Sequence, residues 1–243
     1  MSDGYPISRI IGLSILLILV IMIIIFYLRG QIFDNYEQVR KNYNVYLVQS
    51  NYPDYKEAGQ IMNKINDNNI TLLRNLRRIY IEDKATYQEN AYIQQKNENS
   101  LLDQKHRRTQ WVKNILGNYD PAVMRETNPN NLGKLTAFVK YKGRIYSLCL
   151  RKRGQENPIH HFNTIMFVNL HEISHMTMEE YGHHDEFWAA FRFMLDWAIY
   201  YKLYSPVNYG RTAELYCGLQ IDYTPLCDAT LGGLHPICLS KLI

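Results

Sequence analysis

Hydrophobic positions change their period along this chain, and each change marks an element. From Ile10 to Leu28 nineteen residues run without a charge, nearly all aliphatic, between Arg9 and Arg29. At ~1.5 Å rise per residue such a helix approximately crosses a bilayer's hydrocarbon layer, so the run predicts an uncleaved single-pass anchor over residues 10–28. A secretory leader would be shorter and followed by small residues, and Ile25-Phe26-Tyr27-Leu28-Arg29 offers no such site. Met62, Ile65, Leu72, Leu76 and Ile79 then recur at three-and-four spacing, the stripe of an amphipathic helix with a polar position at Asn69. Further on, Thr136 to Tyr141 and Arg144 to Arg151 are two β-rich runs around Lys142-Gly143, which predicts a hairpin. Asn163-Thr164 precede the apolar run Ile165 to Leu170, so a helix is expected from near Asn163 to about Glu180. Phe187, Trp188, Phe191, Met194, Leu195, Trp197 and Ala198 mark a second helix, whose aromatics read as packing.

These elements divide the chain into an anchor over 1–29, a helical polar spacer over 30–115, and an α+β domain over 116–243. The spacer is rich in Asn, Gln, Lys and Tyr, and Lys84 to Ser100 reads as a solvated helix or linker. Its apolar stripe needs a partner: a second copy in a homodimer, a folded-back hairpin, or the C-terminal domain. One basic residue, Arg9, precedes the apolar run and Arg29, Arg40 and Lys41 follow it, which places the large domain on the cytosolic side.

Charge and cysteine content narrow the partners. Arg74, Arg77, Arg78, Lys105, Arg107 and Arg108 make the spacer basic, but acidic residues interleave and the formal net charge is only +4, so nucleic acid is disfavoured. Four cysteines, Cys149, Cys217, Cys227 and Cys238, do not make a disulfide framework in a chain of 243 residues. Two bridges are possible in an oxidising compartment, with packed free thiols as the default. Cys217, Cys227, His235 and Cys238 lack a CxxC knuckle, which argues against a structural zinc site.

The chemistry concentrates in His171-Glu172-Ile173-Ser174-His175. Residues four apart share a helix face, so His171 and His175 can offer two imidazole nitrogens to one cation while Glu172 stands beside them as a general base. A catalytic zinc needs a third protein ligand and an open position for water. Tyr181-Gly182 can end the helix and turn the chain into His183 and His184, either of which can reach back to the metal.

The string HEISHMTMEEYGHHDEFW resembles the WLM-type and SprT/YgjP-like zinc metallopeptidases, most of all versions encoded by large eukaryotic DNA viruses. The likeness covers about residues 116 to 226 and includes His160 to Leu170, the Gly143 to Arg151 strand and Tyr216-Cys217-Gly218. It implies a zincin-like fold, with a small sheet or hairpin packed on an active-site helix and a second helix. It also implies His171, His175 and His183 as ligands of one catalytic Zn²⁺, because the family's third histidine stands four residues before a Phe-Trp pair, here Phe187-Trp188. Eight positions separate His175 from His183 where many relatives have six, so His184 is kept as the alternative ligand.

Such a site hydrolyses peptide bonds: zinc activates a water and Glu172 moves its proton to the leaving amine. The substrate would be a peptide or protein, held in part by pairing with a hairpin strand. Tyr209 is a candidate oxyanion donor, and Asp196 or Glu214 a candidate to orient an imidazole. His160 and His161 lie before the helix at no ligand spacing and read as surface or supporting residues. Two rival functions fit the same residues: a non-catalytic metal-binding scaffold, and a protease acting on DNA-crosslinked proteins.

Overall fold

The computed structural model describes residues 7–32, 36–41, 44–96, 101–130, 136–154 and 156–239. In chain order the main elements are α1 (Ile7–Ile32), β1 (Tyr36–Lys41), β2 (Asn44–Gln49), α2 (Tyr55–Tyr80), α3 (Tyr87–Lys96), α4 (Leu101–Asn118), β3 (Met124–Glu126), β4 (Phe138–Lys140), β5 (Ile145–Leu148), α5 (Phe162–His175), α6 (Asp185–Tyr200), β6 (Glu214–Tyr216) and β7 (Leu219–Ile221). Five strands form a mixed sheet in the order β1-β2-β3-β5-β4. β1 and β2 are antiparallel, β2, β3 and β5 run parallel, and β4 returns antiparallel along β5 to make the edge beside α5. The α+β class and the hairpin around Lys142-Gly143 lie where the pattern puts them. Gly143 has φ +92°, and a Cβ there would stand 2.0 Å from the Asn118 carbonyl oxygen, so only glycine closes this turn against α4.

The expected spacer is not a spacer. Residues 36–49 supply two strands of the sheet, and α2 packs on β2, α4 and α5. Met62, Ile65, Leu72 and Leu76 are fully buried, so the stripe finds its partner in the C-terminal elements of its own chain rather than in a second copy. Tyr46 and Val48 on β2 alternate with less buried neighbours, a period too short to stand out among the surrounding asparagines and tyrosines.

A seam of amides runs beside that stripe. Asn69 Nδ2 donates to Asn169 Oδ1 at 3.0 Å and Asn169 Nδ2 donates back to Asn69 Oδ1 at 2.8 Å, joining α2 to α5. Tyr146 on β5 donates to the same Asn169 oxygen. Asn69 also reaches Tyr119 Oη at 3.1 Å, whose hydroxyl donates to Asn66 at 2.7 Å, and Asn66 donates to Tyr46 at 3.0 Å. Deeper in the sheet, Arg151 Nε binds Glu126 at 2.8 Å and its Nη1 binds Asp54 at 2.5 Å, while Glu126 accepts the Gln49 amide. The buried charge is thereby paired across β2, β3 and the start of α2.

Two expectations are corrected outright. All four cysteines are oxidised: Cys149 pairs with Cys217 and Cys227 with Cys238, in place of packed thiols. The β6–β7 turn brings Cys217 to the end of β5, a proximity that a sequence separation of 68 conceals. The membrane span is the second correction. The described side chains of α1, residues 11–23, are exposed and mostly apolar. Among the described residues no helix is long and apolar enough to cross a membrane. The anchor over 10–28, the single-pass location and the cytosolic placement derived from it therefore fall.

Removing one member of the amide pair strands the other. Asn169→Ala is expected to lower the unfolding free energy by about 1–3 kcal/mol, and replacing Asn69 and Asn169 together by leucine should recover part of that loss. Chemical denaturation of the two variants beside the parent chain measures both.

Candidate metal centre

Helix α5 presents Val168, His171, Glu172 and His175 along one face, at the three-and-four spacing that places side chains above one another. Its other face, with Leu170 and Ile173, is fully buried. The helix stops at His175, five residues before the expected end at Glu180. Met176 caps it, with its amide bonded to the Ile173 and Ser174 carbonyls. Side chains of α4 take up the next carbonyls: Asn118 donates to Met176 O at 2.9 Å and Asn114 to Thr177 O at 2.8 Å. These bonds satisfy a helix end that a longer α5 would have satisfied itself. The chain then loops through Gly182, at φ +114°, and arrives at His183.

His183 comes back to the helix. Its Nε2 lies 3.0 Å from Nε2 of His171, and the ligand nitrogens of His171, His175 and His183 all fall within 4.8 Å of one another. In a tetrahedral site with bonds of ~2.05 Å, neighbouring nitrogens stand ~3.3 Å apart, so the spacing suits one small cation. His184 stays outside this group, at the N-cap of α6, with its Nε2 buried and unbonded. The turn places the adjacent histidines differently: His183 faces the pair and His184 starts the next helix.

One aromatic ring supports all three. Phe187 is fully buried and stacks on His175 at 4.3 Å between centroids, with His171 at 5.0 Å and His183 at 4.7 Å meeting it edgewise. Trp188 stacks on His183 at 5.6 Å. The second helix thus contributes orientation rather than ligands.

Burial sets the protonation of the group. Desolvation, with the neighbouring imidazoles adding to it, holds His171 at about 3 and His175 at about 4. Desolvation and the adjacent His184 hold His183 below its usual value. Neutral imidazoles with free lone pairs are what a metal ligand must be. Burial also pushes the Glu172 carboxyl up to about 8, opposed by the Val139 backbone N–H that it accepts from strand β4.

These groups open on a cleft of about 530 Å³. Strand β4 forms one wall, the β6–β7 hairpin from Tyr216 to Tyr223 the other, and Phe167, Val168 and Phe191 line it between them. The hairpin turns through Cys217 and Gly218, both with positive φ, and the Cys149–Cys217 bond ties it to the sheet.

Other candidates lie elsewhere. Tyr209 is buried against Phe167, its ring 4.6 Å away, and does not line the cleft, so it is no oxyanion donor. Asp196 pairs with Arg192 and Lys96, and Glu214 accepts the Thr164 hydroxyl; neither bonds an imidazole. His161 is the N-cap residue of α5. His160 is buried beside Tyr216 and accepts the Cys217 amide at 3.3 Å, so it supports the hairpin. The residues that sequence reasoning missed are Val139 and the β6–β7 wall. Leu219 and Ile221, at period two after a Cys-Gly turn, were the available signal.

No protein-family model matches the chain, and no solved structure does. The uncharacterized protein R325 of Acanthamoeba polyphaga mimivirus is 30% identical over 217 residues, which cover 88% of this chain and 97% of that protein. The chain belongs to the R325 family. The relation spans nearly all of R325, so it is one of whole chains and not of a short motif.

The geometry separates ligands from neighbours. His183→Ala is expected to weaken zinc binding by more than the roughly 100-fold that losing an outer support costs, whereas His184→Ala should leave one zinc per chain. Phe187→Ala, which removes the ring beneath the triad, should fall between them at about 10- to 100-fold. Competition titration against a zinc chelator reads all three.

Proposed function

We propose that this protein is a zinc-dependent metallopeptidase. The observation that supports it most is the meeting of three neutral imidazoles and one carboxyl group in a cleft bordered by β4, the edge strand among the described residues. The donor set fits the ion: three nitrogen ligands suit zinc, and the four cysteines are committed to disulfides, so no thiolate competes. When held there, zinc supplies a Lewis acid that makes water acidic and polarises a carbonyl.

The chain's own residues do the rest. Glu172 takes a proton from the attacking water and delivers it to the departing amine nitrogen, so that the C–N bond breaks as the C–O bond is completed. The Val139 backbone N–H, turned toward Glu172, favours its charged form. In an antiparallel ladder the Val139 carbonyl points the same way as that N–H, away from β5. An extended substrate can therefore pair with β4 through this carbonyl and lie across the imidazoles, the β-augmentation mode of peptide binding. The cleft's apolar walls keep water away from the reacting groups. The resemblance of HEISHMTMEEYGHHDEFW to WLM-type and SprT/YgjP-like peptidases points in the same direction.

Glu172→Gln is expected to retain zinc at parent stoichiometry while hydrolysis of a fluorogenic peptide library falls by at least about 10²-fold. Undiminished hydrolysis by the purified variant overturns the assigned base. Zinc bound without hydrolysis by the parent chain would leave a metal-binding scaffold in its place.

A further inference from the structure

We propose that the cleft selects for a large apolar side chain on the substrate, seated against Val168 next to the bond that is cut. The inference rests on the peptidase reading and adds the class of substrate to it. Val168 precedes His171 by three positions and Glu172 by four, so it occupies the same helix face one turn away and lines the cleft directly beside them. Around it stand Phe167 and Phe191 on the helices, Phe138 on β4 and Ile221 on the opposite hairpin. A side chain entering here meets mostly hydrocarbon and ring faces.

The charges point to the same class. Apart from the three histidines and Glu172, Asp222 is the single formally charged residue among the described lining residues, and it is exposed. A charged substrate side chain seated against Val168 would lose its hydration and find no buried charge beyond the group already committed to the reaction, Glu172 and the histidines. A glycine would leave the apolar walls uncovered.

The rim carries a second, independent sign. Leu219 is 52% exposed, Tyr181 71% and Tyr223 39%, all three on the cleft lining. Large apolar side chains held open to water around a concave site are the mark of a surface that becomes covered when its ligand binds. The occupant that covers them is an extended peptide, because β4 offers backbone hydrogen bonds along the same groove.

The test uses the full chain carrying Glu172→Gln, loaded with zinc, and fluorescein-labelled peptides of one sequence with Phe, Leu, Gly, Asp or Lys at a single position. Fluorescence anisotropy should show Phe and Leu peptides binding at least about tenfold tighter than the other three. Equal affinities, tighter binding of a charged peptide, or no binding of any peptide overturns the proposal. Val168→Phe, which fills the site, should shift the preference toward Gly, and Val168→Asp should favour Lys; zinc content and circular dichroism confirm that each variant folds. Cleavage of the same peptides by the parent chain separates the two claims. Hydrolysis without the apolar preference removes the specificity and leaves the peptidase, whereas ordered binding without hydrolysis removes the peptidase and leaves the apolar site.

Discussion

The reciprocal hydrogen bonds between Asn69 and Asn169 fix how α2 meets α5, and everything in the cleft depends on that meeting. Two amides facing each other in a dry interior satisfy one another in a single alignment. A slide of one residue along either helix would leave both buried and unbonded, at about 1–3 kcal/mol each, a large part of a domain's net stability. Asn169 lies one turn before Glu172, fully buried and outside the cleft lining. Locking it, with the Tyr146 hydroxyl on the same oxygen, sets the rotation of α5 and so the direction in which His171, Glu172 and His175 point.

This seam also explains what the amino-acid pattern concealed. The stripe of α2 reads as amphipathic with a polar position at Asn69, inside a polar spacer; Asn63, Asn66 and Asn69 are all buried because each amide finds a partner among Tyr46, Tyr119, Asp67 and Asn169. Those partners lie up to 100 residues away, beyond any periodicity. The disulfides are hidden in the same way, since the Cys149–Cys217 contact exists only after the β6–β7 hairpin has folded over the sheet. What was legible was local. The spacing of His171 and His175 decides their common face, and the glycine at 182 announces the turn that returns His183. The early stop of α5 was not legible because Asn114 and Asn118, which cap it, belong to a helix more than fifty residues upstream.

The same burial that shapes the cleft governs its chemistry. Imidazoles stripped of water resist protonation, so His171 and His175 keep lone pairs available far below neutral pH. Phe187 serves both ends at once: it removes water from the rings and sets their angles, which ties ligand geometry to the packing of α6. Aromatic residues immediately after the third histidine are therefore part of what arranges the three imidazoles even though they offer no ligand atom.

A cleft needs two walls, and the second is the weaker by construction. β6 and β7 have three residues each, and a two-stranded ribbon of that size is marginal in water on its own. Leu215 and Leu219 remain exposed, so little apolar burial holds it. The hairpin is instead fastened at its turn. Tyr216 donates to the Cys149 carbonyl, His160 accepts the Cys217 amide while its ring lies against Tyr216, and the Cys149–Cys217 bond closes a loop of 68 residues. In the chain-entropy picture a loop of that length contributes about 4 kcal/mol, more than a short ribbon's packing can supply. The far end of the hairpin is held as well: the Tyr223 ring meets Trp188 edgewise at 5.0 Å and its hydroxyl donates to Asp228 at 2.9 Å. The second wall is thereby tied at both ends, to the sheet through Cys217 and to α6 through Tyr223.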